Sequence, residues 1–197
     1  MDRASLTELH FIAHHNNLAS IGARGILSFE AVLQLPHTSV AMSEIQDRRA
    51  KVKVPGGLDL HRYANLYFHA RNPMMFVRKH MHRQLCVLRV DPAVLDLDGV
   101  VIADGNASSD WSGFWPSPKG LSKIDEEMTF AEDWTDRDQI TYWQKKRAKC
   151  AEVLIPKYVE RRYITGVYVS CAESETAVRA LGLPWPTSID AHLFFQD

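Results

Sequence analysis

Residues 148–159 read AKCAEVLIPKYV, and the stretch before them, 137–147, reads RDQITYWQKKR. The upstream part is helix-like, and it empties without a linker into the apolar run Val153–Leu154–Ile155. A helix feeding straight into a buried strand is the unit of a mixed α and β domain. One carboxylate, Glu152, heads that strand, directly behind the cations Lys145, Lys146, Arg147 and Lys149. Taken alone, the acid reads first as a solvated residue at a strand edge and only second as a working group at a strand mouth.

Outward from this point the same alternation continues. Toward the N-terminus, LTELHFI (6–12) reads as a strand, and HHNNLASIGARGILS (14–28) offers Asn16 or Asn17 as a cap before a helical turn that Gly22 or Gly25 ends. SEIQDRRAKVKVPGG (43–57) begins as a helix, with Ser43 as a possible cap, and breaks at Pro55-Gly56-Gly57. ANLYFHA (64–70) alternates as a strand, and RNPMMFVRKHMHR (71–83) starts a helix at Pro73, a residue suited to the first helical position. QLCVLRV (84–90), GVVIADGNAS (99–108) and YITGVYVS (163–170) read as strands, ESETAVRALG (173–182) as a short helix, and SIDAHLFF (188–195) as a closing strand. Residues 111–138, rich in Trp, Ser, Pro, Gly and acids, read as a long, partly ordered loop. The helices are brief and no glycine-rich phosphate loop follows a strand, which argues against a doubly wound nucleotide fold. The fold class expected is α+β, small packed β-sheets surrounded by short helices, in a single domain over residues 1–197.

Bulk properties narrow the function. The chain has 197 residues, enough to bury a sizeable core, and a formal net charge of −1, so any nucleic-acid contact must use local patches. No apolar run is long enough to cross a membrane and the N-terminal MDRASLTELHF lacks the layout of a signal peptide. Three widely spaced cysteines, Cys86, Cys150 and Cys171, form no zinc pattern and suit a reducing cytoplasm.

Candidate functional groups cluster in a few segments. Arg48 and Arg49 precede the Val-Pro-Gly-Gly turn and read as a solvated basic segment or as an anion clamp. Arg71, Arg78, Lys79 and Arg83 fit an exposed helix face or a phosphodiester track, and Lys145, Lys146 and Arg147 present the same choice. Asp104, Gly105 and Asn106 form a tight turn or a ligand-contacting one, since strand-end turns on a rigid sheet commonly carry sites. His10, His14 and His15 crowd the first strand and its end. There is no nucleophile elbow, paired acid dyad or HExxH helix. Substitution at the anomeric carbon of a nicotinamide riboside needs none of these. Its leaving group is already cationic, and one carboxylate can stabilise the oxocarbenium-like centre and direct the acceptor's proton.

In order, LHFIAHHNNLASIGARGILS, QDRRAKVKVPGG, YANLYFHARNPMMF, VVIADGNAS, AEVLIP and ITGVYV resemble the DarT family of DNA ADP-ribosyltransferases, over most of the chain. The block VPGG…Y…LYFHARNPMMF is the most specific part of the likeness. The resemblance implies an ADP-ribosyltransferase fold that uses NAD as a substrate, without a metal, and transfers ADP-ribose to a base in single-stranded DNA. It makes Glu152 and Arg49 the catalytic pair and implies that Glu152 lies near the surface of a cleft. It assigns NAD contacts to His10, His14, Asn17, Arg49 and Asn106. DNA contacts then fall to Arg71, Arg78, Lys79, Arg83, Lys145, Lys146 and Arg147, with Trp111, Trp115 and Trp134 as candidate stacking platforms. The implied partners are single-stranded DNA, NAD and a macrodomain antitoxin of the DarG kind, in the toxin half of a toxin–antitoxin or phage-defence pair. An RNA or small nucleoside-like acceptor, or a non-catalytic binding module of the same fold, are the alternatives.

Overall fold

The structure is a computed structural model and describes residues 1–196. In chain order the strands are β1 (Leu9–His14), β2 (Ile26–Leu27), β3 (Tyr63–Tyr67), β4 (Leu85–Val90), β5 (Val101–Ala103), β6 (Phe114–Pro116), β7 (Glu152–Pro156), β8 (Tyr158–Val159), β9 (Ile164–Val169) and β10 (Thr187–Ile189). The helices are α1 (Leu18–Arg24), α2 (Phe29–Val32), α3 (Ser43–Arg49), α4 (Pro73–Arg78), α5 (Glu126–Phe130), α6 (Gln139–Ala148) and α7 (Ala172–Arg179).

Eight strands form one sheet in the order β10-β9-β4-β1-β3-β7-β5-β6, and β2 pairs with β8 apart from it. The expectation of small sheets is thus met in an altered form. β1 runs in register with β4 from Leu9↔Val90 to His14↔Leu85, but meets β3 at the single pair His10↔Tyr67. Two four-stranded halves, β10-β9-β4-β1 and β3-β7-β5-β6, therefore share one seam, and beyond it β1 and β3 part.

Alternation decides the layers. Leu9, Leu66, Leu88, Val153, Ile155 and Val167 point into one core under the sheet. Ile12, Met75, Leu85, Val87 and Phe194 form a second cluster, and Val54, Leu60, Tyr63 and Leu154 a third. Pro73 opens α4, and the Asn72 side chain accepts from Met75 N–H as its cap. Gly25 ends α1 with φ +83°, and a Cβ there would lie 2.1 Å from the Val159 carbonyl oxygen, so only glycine lets α1 turn into the β2–β8 ladder.

Two sequence expectations change. Residues 111–138 are not a loose loop: β6 adds to the sheet edge, and α5 is capped by Asp125, which accepts from Met128 N–H. Long-range packing orders this stretch, because Trp134 sits edge-on to both Phe76 and Phe195. The closing segment gives only three strand residues, Thr187–Ile189, before Asp190 accepts from Leu193 N–H and turns the chain into a short 3₁₀ turn. Among the described residues no helix is long and apolar enough to cross a membrane.

Candidate active site

β7 lies between β3 and β5, pairing Glu152 with Tyr67 on one side and Ala103 on the other. With Val153 committed to the core, Glu152 must face the opposite side of the sheet, the side that carries Tyr67. Its carboxylate is wholly buried, 0 % exposed. Burial of an ionised carboxylate is tolerated only with close partners. Here Arg49 Nη1 donates to both oxygens at 3.0 Å, and the Ala107 main-chain N–H donates to Oε1 at 2.9 Å. The expectation that Glu152 sits near the cleft surface is corrected by this cover: Arg49 stands in front of it.

Arg49 is the last residue of α3 and is itself 6 % exposed. One nitrogen straddles the carboxylate, so the contact is not the two-pronged fork common to arginine–carboxylate pairs. Arg49 lines a cleft of about 690 Å³ that opens where β1 and β3 part. Such a volume suits a drug-sized ligand. Phe11 and Ala13 reach the cleft from β1, Asn65 and Tyr67 from β3, and Asn106 and Trp143 from the far rim. Burial first, and the Glu152 charge second, hold the Tyr67 phenol far above its usual range, so it stays protonated.

The turn after β5 aims the Ala107 N–H. Asn106 Oδ1 accepts from Ser108 N at 2.9 Å and from Ser108 Oγ at 2.8 Å, and the Asn106 carbonyl accepts from Ser112 Oγ at 2.8 Å. Asp104 Oδ1 accepts from Gly113 N at 2.9 Å and from Arg147 Nη1 at 2.8 Å. Asn106 therefore lines the cleft, as the resemblance implies, and also shapes the turn that caps Glu152. Sequence reading missed Ala107, whose contribution is a main-chain donor and leaves no side-chain signal.

Of the other residues expected at the cleft, Asn17 reaches it and two histidines do not. The Asn17 amide is spent on Thr38: Nδ2 donates to the Thr38 carbonyl at 2.8 Å and Oδ1 accepts from Thr38 N at 2.9 Å. Neither His10 nor His14 is among the residues lining the cleft. His10 lies between Glu8, 2.9 Å from its Nε2, and the Ala70 N–H, which donates to Nδ1 at 2.9 Å. His10 stands opposite Tyr67, on the face of the sheet that carries Glu152, and its ring is taken up by those two contacts. His14 Nδ1 accepts from Asn16 N at 3.2 Å and caps the next turn, and burial and His15 lower its pKa.

Most of the expected DNA-binding cations are committed to the protein. Arg71 reaches the Glu132 and His192 carbonyls and lies over the Phe195 ring. Arg78 donates to the Val40 and Ala41 carbonyls at 3.0 and 3.1 Å. Lys79 sits over Phe76, and Arg83 pairs with Glu173 at 3.1 Å. Lys145 pairs with Asp136 and Arg147 with Asp104, each at 2.8 Å. Asp136 belongs to the acid-rich segment just before α6, whereas Asp104 and Glu173 are distant along the chain from their partners. Lys146 is exposed at the cleft rim and makes no ion pair among the described residues. Lys149 is buried, donates to the Ala131 carbonyl at 2.6 Å and ties residues 125–134 to the root of β7. Burial pulls its pKa down to about 8, and burial with the Lys149 charge lowers that of His69 to about 3.

Residues 37–42 form one cleft wall, staked by Asn17 at Thr38 and by Arg78 at Val40 and Ala41. Arg78→Ala is expected to free that wall while the sheet stays folded, because bonds from a charged donor contribute about 1.5 kcal/mol or more. Hydrogen exchange should speed up across 36–42 with little change elsewhere. Unchanged exchange there would return Arg78 to a surface role.

Among the described residues no group of His, Cys, Asp and Glu is arranged to hold a metal ion. A family model described as DarT, ssDNA thymidine ADP-ribosyltransferase, matches residues 10–195. A DNA ADP-ribosyl transferase–DNA ADP-ribosyl glycohydrolase fusion protein of Thermosipho africanus is 31 % identical over 173 residues, 83 % of this chain and 42 % of the relative. The chain thus spans less than half the length of that relative. The solved structure of Thermosipho africanus DarTG in complex with ADP-ribose aligns with 96 % of this chain and 51 % of its own, at 28 % identity and a TM-score of 0.83. That of Thermus sp. 2.9 DarT in complex with ADP-ribosylated ssDNA aligns over 96 % of both chains at 22 % identity, also with a TM-score of 0.83, a likeness of fold.

Proposed function

The chain belongs to the DarT family of ssDNA thymidine ADP-ribosyltransferases, and on that premise we propose that it transfers ADP-ribose from NAD to thymidine in single-stranded DNA. One observation carries the reading: a buried carboxylate, Glu152, held by Arg49 and the Ala107 N–H at the edge of a cleft of about 690 Å³. Arg49 and Asn106 line the cleft as NAD-contacting residues, while Asn17 serves NAD by holding the cleft wall through Thr38. Residues 1–197 act as one catalytic domain.

In this reaction the bond between the ribose anomeric carbon and the nicotinamide nitrogen breaks. Its electron pair leaves with nicotinamide, which becomes neutral. Positive charge grows on the ribose, and Glu152 stabilises it. The thymine ring nitrogen attacks that carbon, and its proton passes to Glu152 as general base. With Glu152 covered, Arg49 has to give up part of its contact for the ribose to meet the carboxylate. The released guanidinium then faces the ligand from the cleft wall. No step requires a metal.

Single-stranded DNA is the acceptor because a stacked, paired base hides its ring nitrogen. On the helix at the cleft rim, Lys146 is the cation best placed to meet the strand, since Lys145 and Arg147 are paired with Asp136 and Asp104. A toxin role, with a macrodomain antitoxin that removes the ADP-ribose, follows from the glycohydrolase half named in the Thermosipho relative. DNA as target and three free thiols favour the cytoplasm.

The test is to incubate the protein with labelled NAD and, in parallel, single-stranded DNA, the matching duplex and RNA. Mass spectrometry should find ADP-ribose on thymidine of the single strand, with duplex modified at least tenfold less. Label on RNA alone would move the acceptor to the alternative nucleic acid. Label on none of them would reject the reading.

A further inference from the structure

Two tryptophans near the cleft stand largely in solvent: Trp143 lines it, and Trp111 follows the lining residues Ser108 and Ser109 in the chain. Trp111 is 85 % exposed and Trp143 is 61 % exposed. A tryptophan normally buries most of a large apolar surface, so an exposed pair at a site calls for a ligand. The other loop tryptophans do not share this state: Trp134 is buried against Phe76 and Phe195, and Trp115 is half-buried on β6 with its indole over Gly113.

Arg147 links the exposed pair. Trp143 and Arg147 are one helical turn apart on α6 and share its face. The Arg147 guanidinium, anchored on Asp104, donates to the Trp111 carbonyl at 3.0 Å. Ser109 Oγ also accepts from Trp111 N–H at 3.3 Å. The backbone under Trp111 is thus pinned while its indole stays in solvent. Trp143 lines the cleft itself, beside the exposed Lys146.

We propose that Trp143 and Trp111 form an aromatic lip on which bases of the single strand stack as the acceptor enters the cleft. This rests on the single-stranded DNA reading above. Charge cannot do the holding alone, because Lys145 and Arg147 are neutralised by Asp136 and Asp104. Lys146 and Arg48, both exposed and both lining the cleft, remain for the phosphates, which is the charge complement that favours a nucleic acid over an apolar protein surface. Stacking on aromatic side chains is strong and tolerant of sequence, and it supplies what the paired cations do not.

The experiment compares binding of a labelled oligothymidylate with that of an abasic strand of equal length, by fluorescence anisotropy. It uses wild type, Trp143→Ala, Trp111→Ala and Trp143→Phe. Wild type should prefer the base-bearing strand. Each alanine variant should lose roughly five- to a hundredfold of that preference with abasic binding unchanged, and Trp143→Phe should keep most of it. The log–log salt slope should be shallow, near the roughly 1.4 expected of two phosphate contacts. Wild-type preference in both alanine variants would overturn the lip while leaving the acceptor reading intact. A slope of several contacts with equal binding of both strands would overturn it in favour of the cations. Failure of wild type to bind any single-stranded DNA would overturn the lip and the acceptor reading together.

Discussion

Glu152→Gln is expected to lose ADP-ribosyl transfer by on the order of a hundredfold or more while the protein stays folded. The amide is nearly the same shape and can still accept from Ala107 N–H, but it cannot stabilise the ribose cation or take the acceptor's proton. Glu152→Ala is a different experiment. It leaves the guanidinium of Arg49, 6 % exposed, with no counter-charge, and breaking such a pair costs about 3–5 kcal/mol. The alanine variant should therefore melt well below wild type, and its inactivity would mix two causes. Transfer from labelled NAD, read beside thermal melting, separates them. Near-wild-type transfer by the glutamine variant would falsify the catalytic assignment of Glu152.

Arg49 should show a split between stability and activity. Arg49→Ala strands a carboxylate that is 0 % exposed, so it too should cost about 3–5 kcal/mol and nearly abolish transfer. Arg49→Lys is the informative variant. A single nitrogen makes both contacts to Glu152, at 3.0 Å each, and one ammonium can stand in that place. Lysine should thus recover most of the lost stability. It brings no further planar donors to the cleft, so transfer should remain far below wild type. Arg48, exposed on the same helix end, should matter much less in either measurement. If Arg48→Ala were the severe variant and Arg49→Ala the mild one, the pairing with Glu152 would not be the working arrangement.

Local signals carried much of the fold. Asn72-Pro73 opens α4 as its cap and first residue, the alternation of 64–70 marks β3, and the apolar, β-branched run 84–90 marks β4. Such features depend on neighbours within a turn or a strand. The two-residue strands β2 and β8 are too short to leave a pattern. The order of 111–138 depends on Trp134 meeting Phe76 and Phe195, far away along the chain. The site divides in the same way. Glu152, Arg49 and Asn106 were singled out because a family pattern surrounds each of them, and the structure brings Arg49 onto Glu152 with Asn106 in the adjoining turn. The partners of Arg71, Arg78 and Arg147 were not readable, because an exposed cation and one tied to a distant carbonyl or acid look alike in sequence. Nor could the sequence show what holds the two histidines: His10 lies between Glu8 and the Ala70 N–H, and His14 caps the turn after β1.

The single pair His10↔Tyr67 bears on how such a protein diverges. Across an ordinary ladder every rung constrains its neighbour, and a slip of one residue inverts a whole strand. β7 is bound in that way, by five consecutive pairs to β3, from Tyr63↔Pro156 to Tyr67↔Glu152. β1 has no comparable debt to β3. Its residues facing the ligand can be exchanged over generations while the half that carries Glu152 keeps its geometry. The β1 share of the cleft wall is thus mutable apart from the β3 share, which is locked to the strand that carries Glu152.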